Sequence, residues 1–241
     1  MCPCVIWDDG KPVRTPTGVP MTRIFWAPAE SATILDTWHV VGLRGTGSHD
    51  FALADVFVPA ARSVANTDLP REKGLLYDPR LHLSWIWTAT VANAIGIARG
   101  ALDAFTDLAS TKSSTMSTTL LRDRPLVQAR VAEAEATLSA ARAYVQTAVG
   151  DLWERAGRGE SDLDVAVVQA RLAIARGMHE AVHAVDLLFH AAGTNAVYER
   201  NPLERHFRNI HVAVQHAAAL PAHMEAAGKV LLGLRPSDAG W

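Results

Sequence analysis

The chain has 241 residues, 49% of them hydrophobic, and a formal net charge of −2. That composition excludes a disordered chain, and the lack of a basic surplus argues against nucleic acid or anionic lipid as partner, leaving a small molecule as the expected substrate. Cys2 and Cys4, two apart around Pro3, cannot staple a fold and fit a reduced cytoplasm; no run approaches the roughly 20 apolar residues that span a bilayer, and no signal peptide is recognisable.

The first stretch reads as short strands and turns: strands at 5–7, 23–27 and 33–35, with a Pro/Gly-rich turn at 9–20. The run from Trp38 to Pro59 is the most informative. Gly42, Gly45 and Gly47 permit backbone shapes that a side chain forbids, and Thr46, Ser48 and Asp50 can bond local amides. Residues 51–58 then alternate, with Phe51, Leu53 and Phe57 on one face, interrupted by Asp55 and stopped by Pro59. A polar stretch at 63–77, carrying Asn66, Asp68, Pro70 and Gly74, reads as a linker between a domain at 1–65 and another at 78–241.

The second part is almost entirely helix. In 81–109 the apolar stripe is Trp87, Val91, Ala94, Ala98, Leu102 and Phe105; in 126–155 it is Val131, Ala134, Leu138, Ala141, Val145, Ala148 and Leu152. A third helix is expected from Ser161, capped by that serine with Asp164 closing a box, to a stop at Gly193. Asn201 and Pro202 start a fourth, which Pro221 must break or kink because its ring opposes the carbonyl of Ala217. The break falls beside His216, where freed backbone groups and a titratable ring invite chemistry. Long helices with alanines at the seam imply an antiparallel four-helix bundle, so the fold class is α+β, mainly α.

Three rival signals are weighed against plainer readings. His179-Glu180-Ala181-Val182-His183 matches HExxH, a zinc pattern, but aspartate at 186 and phenylalanine at 189 break the metzincin continuation, and no metal is expected. Trp85 and Trp87 pack the core in the plainer reading and wall an aromatic pocket in the other. Ser48 and His49 lack an orienting carboxylate, which weakens a hydrolase reading.

Taken together, the GLRGTGSHD turn at 42–50, the bundle, and the run HAAGTNAVYERNPLERHFRNIHVAVQHAAALP at 190–221 resemble the acyl-CoA dehydrogenase superfamily across nearly the whole chain. The resemblance implies a β middle domain and a C-terminal four-helix bundle enclosing a flavin. The chain resembles the C-terminal portion of such an enzyme, with 1–65 as the end of the β domain. Dehydrogenases of this superfamily carry a glutamate base after a tyrosine. Laid on Pro202, Glu204, Arg208 and Asn209, that pattern puts His216 at the tyrosine and Ala217 at the glutamate, and alanine cannot take an α-proton.

The histidine is instead similar to the two-component flavin monooxygenases on this fold, in which a histidine near this position faces the flavin where oxygen reacts. An imidazole can donate to a developing oxyanion or take a proton from a phenol near neutral pH. The resemblance thus implies a hydroxylase with His216 catalytic, FMN or FAD as cofactor, a separate flavin reductase as electron source, and a homotetramer. For the flavin it implies Gly193 and Thr194, with His190 replacing a usual glutamine, and Lys112 in a Ser/Thr-rich loop standing near an arginine that many members carry. The cluster Glu199, Arg200, Glu204, Arg205 and Arg208 reads as a solvated or inter-subunit face, with a buttress of the break by Arg208 as the alternative. The alternatives are an acyl-CoA dehydrogenase with its base elsewhere and a truncated, non-catalytic oligomeric remnant.

Overall fold

A computed structural model describes residues 1–16, 18–65, 68–113 and 117–235. Asn66 of the expected linker and residues 114–116 of the Ser/Thr-rich loop lie outside the described residues. The chain divides into two units. One comprises Met1–Val40 and Arg44–Glu72, the other Val41–Leu43 and Lys73–Trp241.

The first unit is built from seven short strands: β1 (Cys2–Val5), β2 (Trp7–Asp8), β3 (Lys11–Pro12), β4 (Thr22–Phe25), β5 (Thr33–Leu35), β6 (Asp50–Ala52) and β7 (Ser63–Ala65). β1, β4 and β7 form an antiparallel sheet in that order, with Pro3 opposite Ile24 and Ile24 opposite Val64. β2 and β3 close a hairpin over Asp9 and Gly10, whose φ of 45° and 73° give the doubly left-handed turn that Asp-Gly favours. β5 pairs with β6.

Two expectations are corrected in this unit. The alternating strand at 51–58 is only the three residues of β6, because Asp55 takes a left-handed φ of 54° and Phe57 is 87% exposed, so no apolar face forms. The polar stretch read as a linker opens with β7, whose Val64 pairs with Ile24; three ladder positions decide this, and polar flanks hide it in the sequence.

The second unit carries five α-helices among its described residues: α1 (His82–Thr111), α2 (Pro125–Gly157), α3 (Asp164–Ala192), α4 (Pro202–Ala213) and α5 (Pro221–Leu231). The first three, with α4 and α5 as a broken fourth, form the antiparallel bundle. The expected stripes face inward: Val91, Ala94, Ala98 and Phe105 of α1, Ala134 and Leu138 of α2, and Ile174, Ala181, Val185 and Leu188 of α3 are all buried in one cluster, with Val131 partly buried at its edge. Trp87 is core, with the Arg171 guanidinium 5.2 Å over its ring; Trp85 donates its indole N–H to the Leu75 carbonyl and meets Trp153 edge-on. No described helix is long and apolar enough to cross a membrane.

Helix ends follow local chemistry, with one correction. α3 begins at Asp164, and Asp162 rather than Ser161 supplies the side-chain acceptor, to the Asp164 amide at 3.1 Å. The start is displaced because Leu163, Ala166 and Val167 bury themselves against Leu81 and Leu152, which fixes where the first turn can lie. Gly193 ends α3 at a φ of 59° that a side chain would resist. Asn201 caps α4, accepting from the Leu203 amide at 3.0 Å. Asn201→Ala is expected to cost about 1 kcal/mol, read from the urea midpoint.

On the outer face of α1 and α2, Arg99 grips Glu135 through its two terminal guanidinium nitrogens while Ser139 donates to the same carboxylate. Arg99 first, then Ser139, hold the Glu135 pKa down to about 2. A depressed folded pKa contributes stability that is complete above the ordinary glutamate value near 4.3 and is lost as pH falls from there through about 2. The pair is nearly half exposed, so solvent screening holds the coupling to about 1 kcal/mol or less. A double-mutant cycle with R99A and E135A is expected to show that coupling at pH 7, shrinking in high salt and fading as pH falls from about 4 through about 2.

Candidate active site

The fourth bundle position is interrupted where the sequence places the proline. α4 stops at Ala213, a turn carries the chain to a single 3-10 turn at Ala217–Ala219, and α5 restarts with Pro221 in its first position, where no amide hydrogen is needed. Two carbonyls released by the break find imidazole partners. His223 Nε2 lies 2.9 Å from the Ala217 carbonyl and His179 Nε2 lies 3.1 Å from the Ala219 carbonyl. A carbonyl only accepts, so both rings carry their proton on Nε2.

His216 sits at the head of this turn with its side chain exposed, and its Nδ1 accepts the Ala218 amide hydrogen at 3.1 Å. A ring nitrogen that accepts carries no hydrogen, which leaves the hydrogen of the neutral ring on Nε2. The break therefore presents an imidazole N–H donor. His223, by contrast, is buried edge-on against Trp87 at 4.8 Å. Burial pushes its pKa down, the bond to Ala217 opposes this only in part, and the Arg171 charge adds a smaller downward push.

Beside the break, Val41–Leu43 lies on α4. Gly42 faces the Arg208 carbonyl so closely that a Cβ there would stand 2.2 Å from the oxygen, and the Leu43 amide donates to Asn209 Oδ1 at 2.8 Å. Arg208 pairs with Glu204 and donates to the Val41 carbonyl. It thus holds this segment, and among the described residues no hydrogen bond links it to the 216–220 turn, so the alternative of a buttress at the break finds no support here. On the same helix, His211 Nε2 meets Asp186 Oδ1 at 2.9 Å, its ring on Phe207 and Phe207 stacked on Phe189.

The other sequence candidates are more dispersed. Lys112, just past the end of α1, lines a cleft of about 500 Å³ with Asp107, Thr111, Asn195, Arg200 and Asn201. Gly193 and Thr194 open the 3-10 turn that carries Asn195 to the cleft, but do not line it themselves. His190 is exposed with Nδ1 against the Asp186 carbonyl at 2.7 Å. The HExxH residues diverge: His179 serves Ala219, His183 lies 3.8 Å from Glu133, and Glu180 pairs with Arg176. Among the described residues no three potential metal ligands gather. In the first unit, His49 Nδ1 accepts from the Thr37 and Trp38 amides while Ser48 meets Thr46, so no nucleophile–base pair forms.

Sequence reasoning missed His223 and the bond from the Leu43 amide to Asn209. A signal for His223 existed: two residues past a helix-starting proline, its side chain lies in the first turn of α5, within reach of the carbonyls that the break releases.

The model of the acyl-CoA dehydrogenase C-terminal domain matches residues 88–221. An indole-3-acetate monooxygenase of Pseudomonas putida is 32% identical over 220 residues, covering 90% of this chain and 55% of that protein. The crystal structure of 3-HSA hydroxylase from Rhodococcus sp. RHA1 superposes with a TM-score of 0.78 at 29% identity, covering 98% of this chain and 60% of that one. XiaF from Streptomyces sp., solved with FADH2 and glycerol, gives 0.78 at 26% identity, covering 92% and 58%. The chain thus spans little more than half the length of the curated relatives it matches. With a family model lying over more than half its residues and the bundle broken at the place described, this chain belongs to the acyl-CoA dehydrogenase family, whose C-terminal domain its helices form.

Proposed function

We propose that this chain is the bundle-bearing part of a flavin-dependent monooxygenase that takes reduced flavin from a separate reductase and hydroxylates an aromatic or other electron-rich small molecule with O2. The observation that carries this reading is the imidazole N–H presented at the helix break, where Ala217 offers no carboxylate to abstract a proton. Relatives named as monooxygenases support it. The same reading carries a homotetramer assembled through the bundle.

Lys112, with Asn195, Arg200 and Asn201, would hold a flavin phosphate; these cationic and amide donors outnumber the single carboxylate of Asp107, so the set fits an anion. Gly193, Thr194 and His190 are proposed at the neighbouring turn. A compact FMN needs only that phosphate contact, and the FADH2 bound by XiaF makes FAD the alternative. When bound, reduced flavin supplies the two electrons that divide O2 between hydroxylated product and water. His216 would direct its Nε2 hydrogen to negative charge developing on oxygen, and removing one such donor costs about 10²-fold to 10³-fold in rate. The alanines at 217–219 add no competing polar side chain.

The test supplies the purified chain with reduced FMN or FAD, O2 and a phenol or indole-3-acetate. Oxygen uptake matched by hydroxylated product is expected. A chain that binds no flavin, or one whose bound oxidised flavin is bleached by an acyl-CoA without reductase, overturns the reading.

A further inference from the structure

The bonds at the break share one peptide group. The Ala217 carbonyl that accepts from His223 and the Ala218 amide that donates to His216 Nδ1 belong to the same planar unit. In a trans peptide those two groups point in opposite directions. His223 therefore sits on the inner side, buried against Trp87, and His216 on the outer side, exposed. We propose that His223 is a positioning residue for His216: through the Ala217–Ala218 peptide it fixes the ring and tautomer that present Nε2–H outward, with His179 pinning the far end of the same turn. This inference rests on the proposed role of His216.

The physical argument has two parts. A peptide plane can rotate only as a unit, so an inner donor that locks the carbonyl also locks the direction of the amide hydrogen on which the outer ring rests. A donor on the carbonyl further polarises the peptide, which strengthens its amide as a donor to Nδ1. Ala218 and Ala219 are buried in the bundle core, which holds the turn in place, while Ala217 is exposed. Residues 217–219 are three alanines, and their backbone contacts are the 3-10 bonds from the Ala219 and Leu220 amides to the His216 and Ala217 carbonyls. The Leu220 amide already meets the Ala217 carbonyl at 3.3 Å, so that carbonyl needs no second donor for its satisfaction alone, and loss of a donor with only that role would not be felt at His216.

His223→Phe keeps an aromatic ring against Trp87 and removes the donor; His223→Gln keeps an N–H near the place of Nε2. In chain labelled with 15N-histidine, long-range proton–nitrogen spectra of the wild type are expected to show His216 bare at Nδ1 and protonated at Nε2. The phenylalanine variant is expected to mix both tautomers and to lose about 10-fold to 100-fold in kcat for hydroxylation, with KM for the phenol unchanged, as small misplacements of a reacting group do. The glutamine variant is expected to restore the single tautomer and most of the rate. An unchanged His216 spectrum in the phenylalanine variant overturns the proposal. Should that variant not fold, the wild-type spectrum decides, because a proton on Nδ1 or two exchanging tautomers overturns it equally. The spectrum needs no flavin: the expected tautomers in a chain without oxygen chemistry defeat the proposed function alone, and mixed tautomers in an active oxygenase defeat this inference alone.

Discussion

Replacing His216 with alanine is expected to lower hydroxylation by about 10²-fold or more while oxygen uptake continues, with hydrogen peroxide released in place of product. Among the described residues the ring's one hydrogen bond runs from the Ala218 amide to Nδ1, and the residue is exposed, so its removal should leave the bundle folded. The effect therefore separates from stability. His216→Gln retains an N–H donor and is expected to recover part of the coupling; no recovery would mean that the ring takes a proton from substrate. Parallel electrode and peroxide measurements against product formation check this, and equal coupling in wild type and H216A would remove the histidine from the mechanism.

The second large effect is expected at Gly42. A Cβ at that position would stand 2.2 Å from the Arg208 carbonyl oxygen and 2.9 Å from the Asn209 amide nitrogen, both backbone atoms in the middle of α4 that cannot swing aside. Gly42→Ala is expected to cost about 3 kcal/mol, the upper part of the range for overpacking, because Val41–Leu43 must lift and release the bonds to Asn209 and Arg208. Gly45→Ala, with open space around it, is the control and should stay within about 0.5 kcal/mol. Urea midpoints and exchange of the Leu43 amide measure both, and equal behaviour of the two variants would show that the close approach is absent in solution.

Much of this was legible where the information is local. The period of Val91, Ala94, Ala98, Leu102 and Phe105 fixes a buried face because residues three and four apart share one side of a helix. Asn201-Pro202 and Gly193 announce ends through their own backbone chemistry, and Pro221 announces the break. What the sequence hides is long-range. Gly42 is dictated by a carbonyl 166 residues onward in α4, and nothing near it in the chain says which of three glycines is under steric compulsion. His223 acquires its role only once α5 packs on α3 and brings the ring against Trp87, which shields it. The alternation at 51–58 misleads because period two signals a strand only where a partner and a buried face exist, and Asp55 turns the backbone before either can form.

The alanine-lined seam has a further consequence. Ala94, Ala98 and Ala101 of α1, Ala134 of α2, and Ala173, Ala181 and Ala184 of α3 have no exposed surface, so there is almost nothing left to truncate. Single-residue variation along it is therefore punished asymmetrically: shrinkage to glycine acts mainly through helix propensity, whereas any added methyl must be accommodated by moving a whole rod. Descendants of this chain can drift at the rim of the bundle, but the spacing of its axes is inherited nearly unchanged.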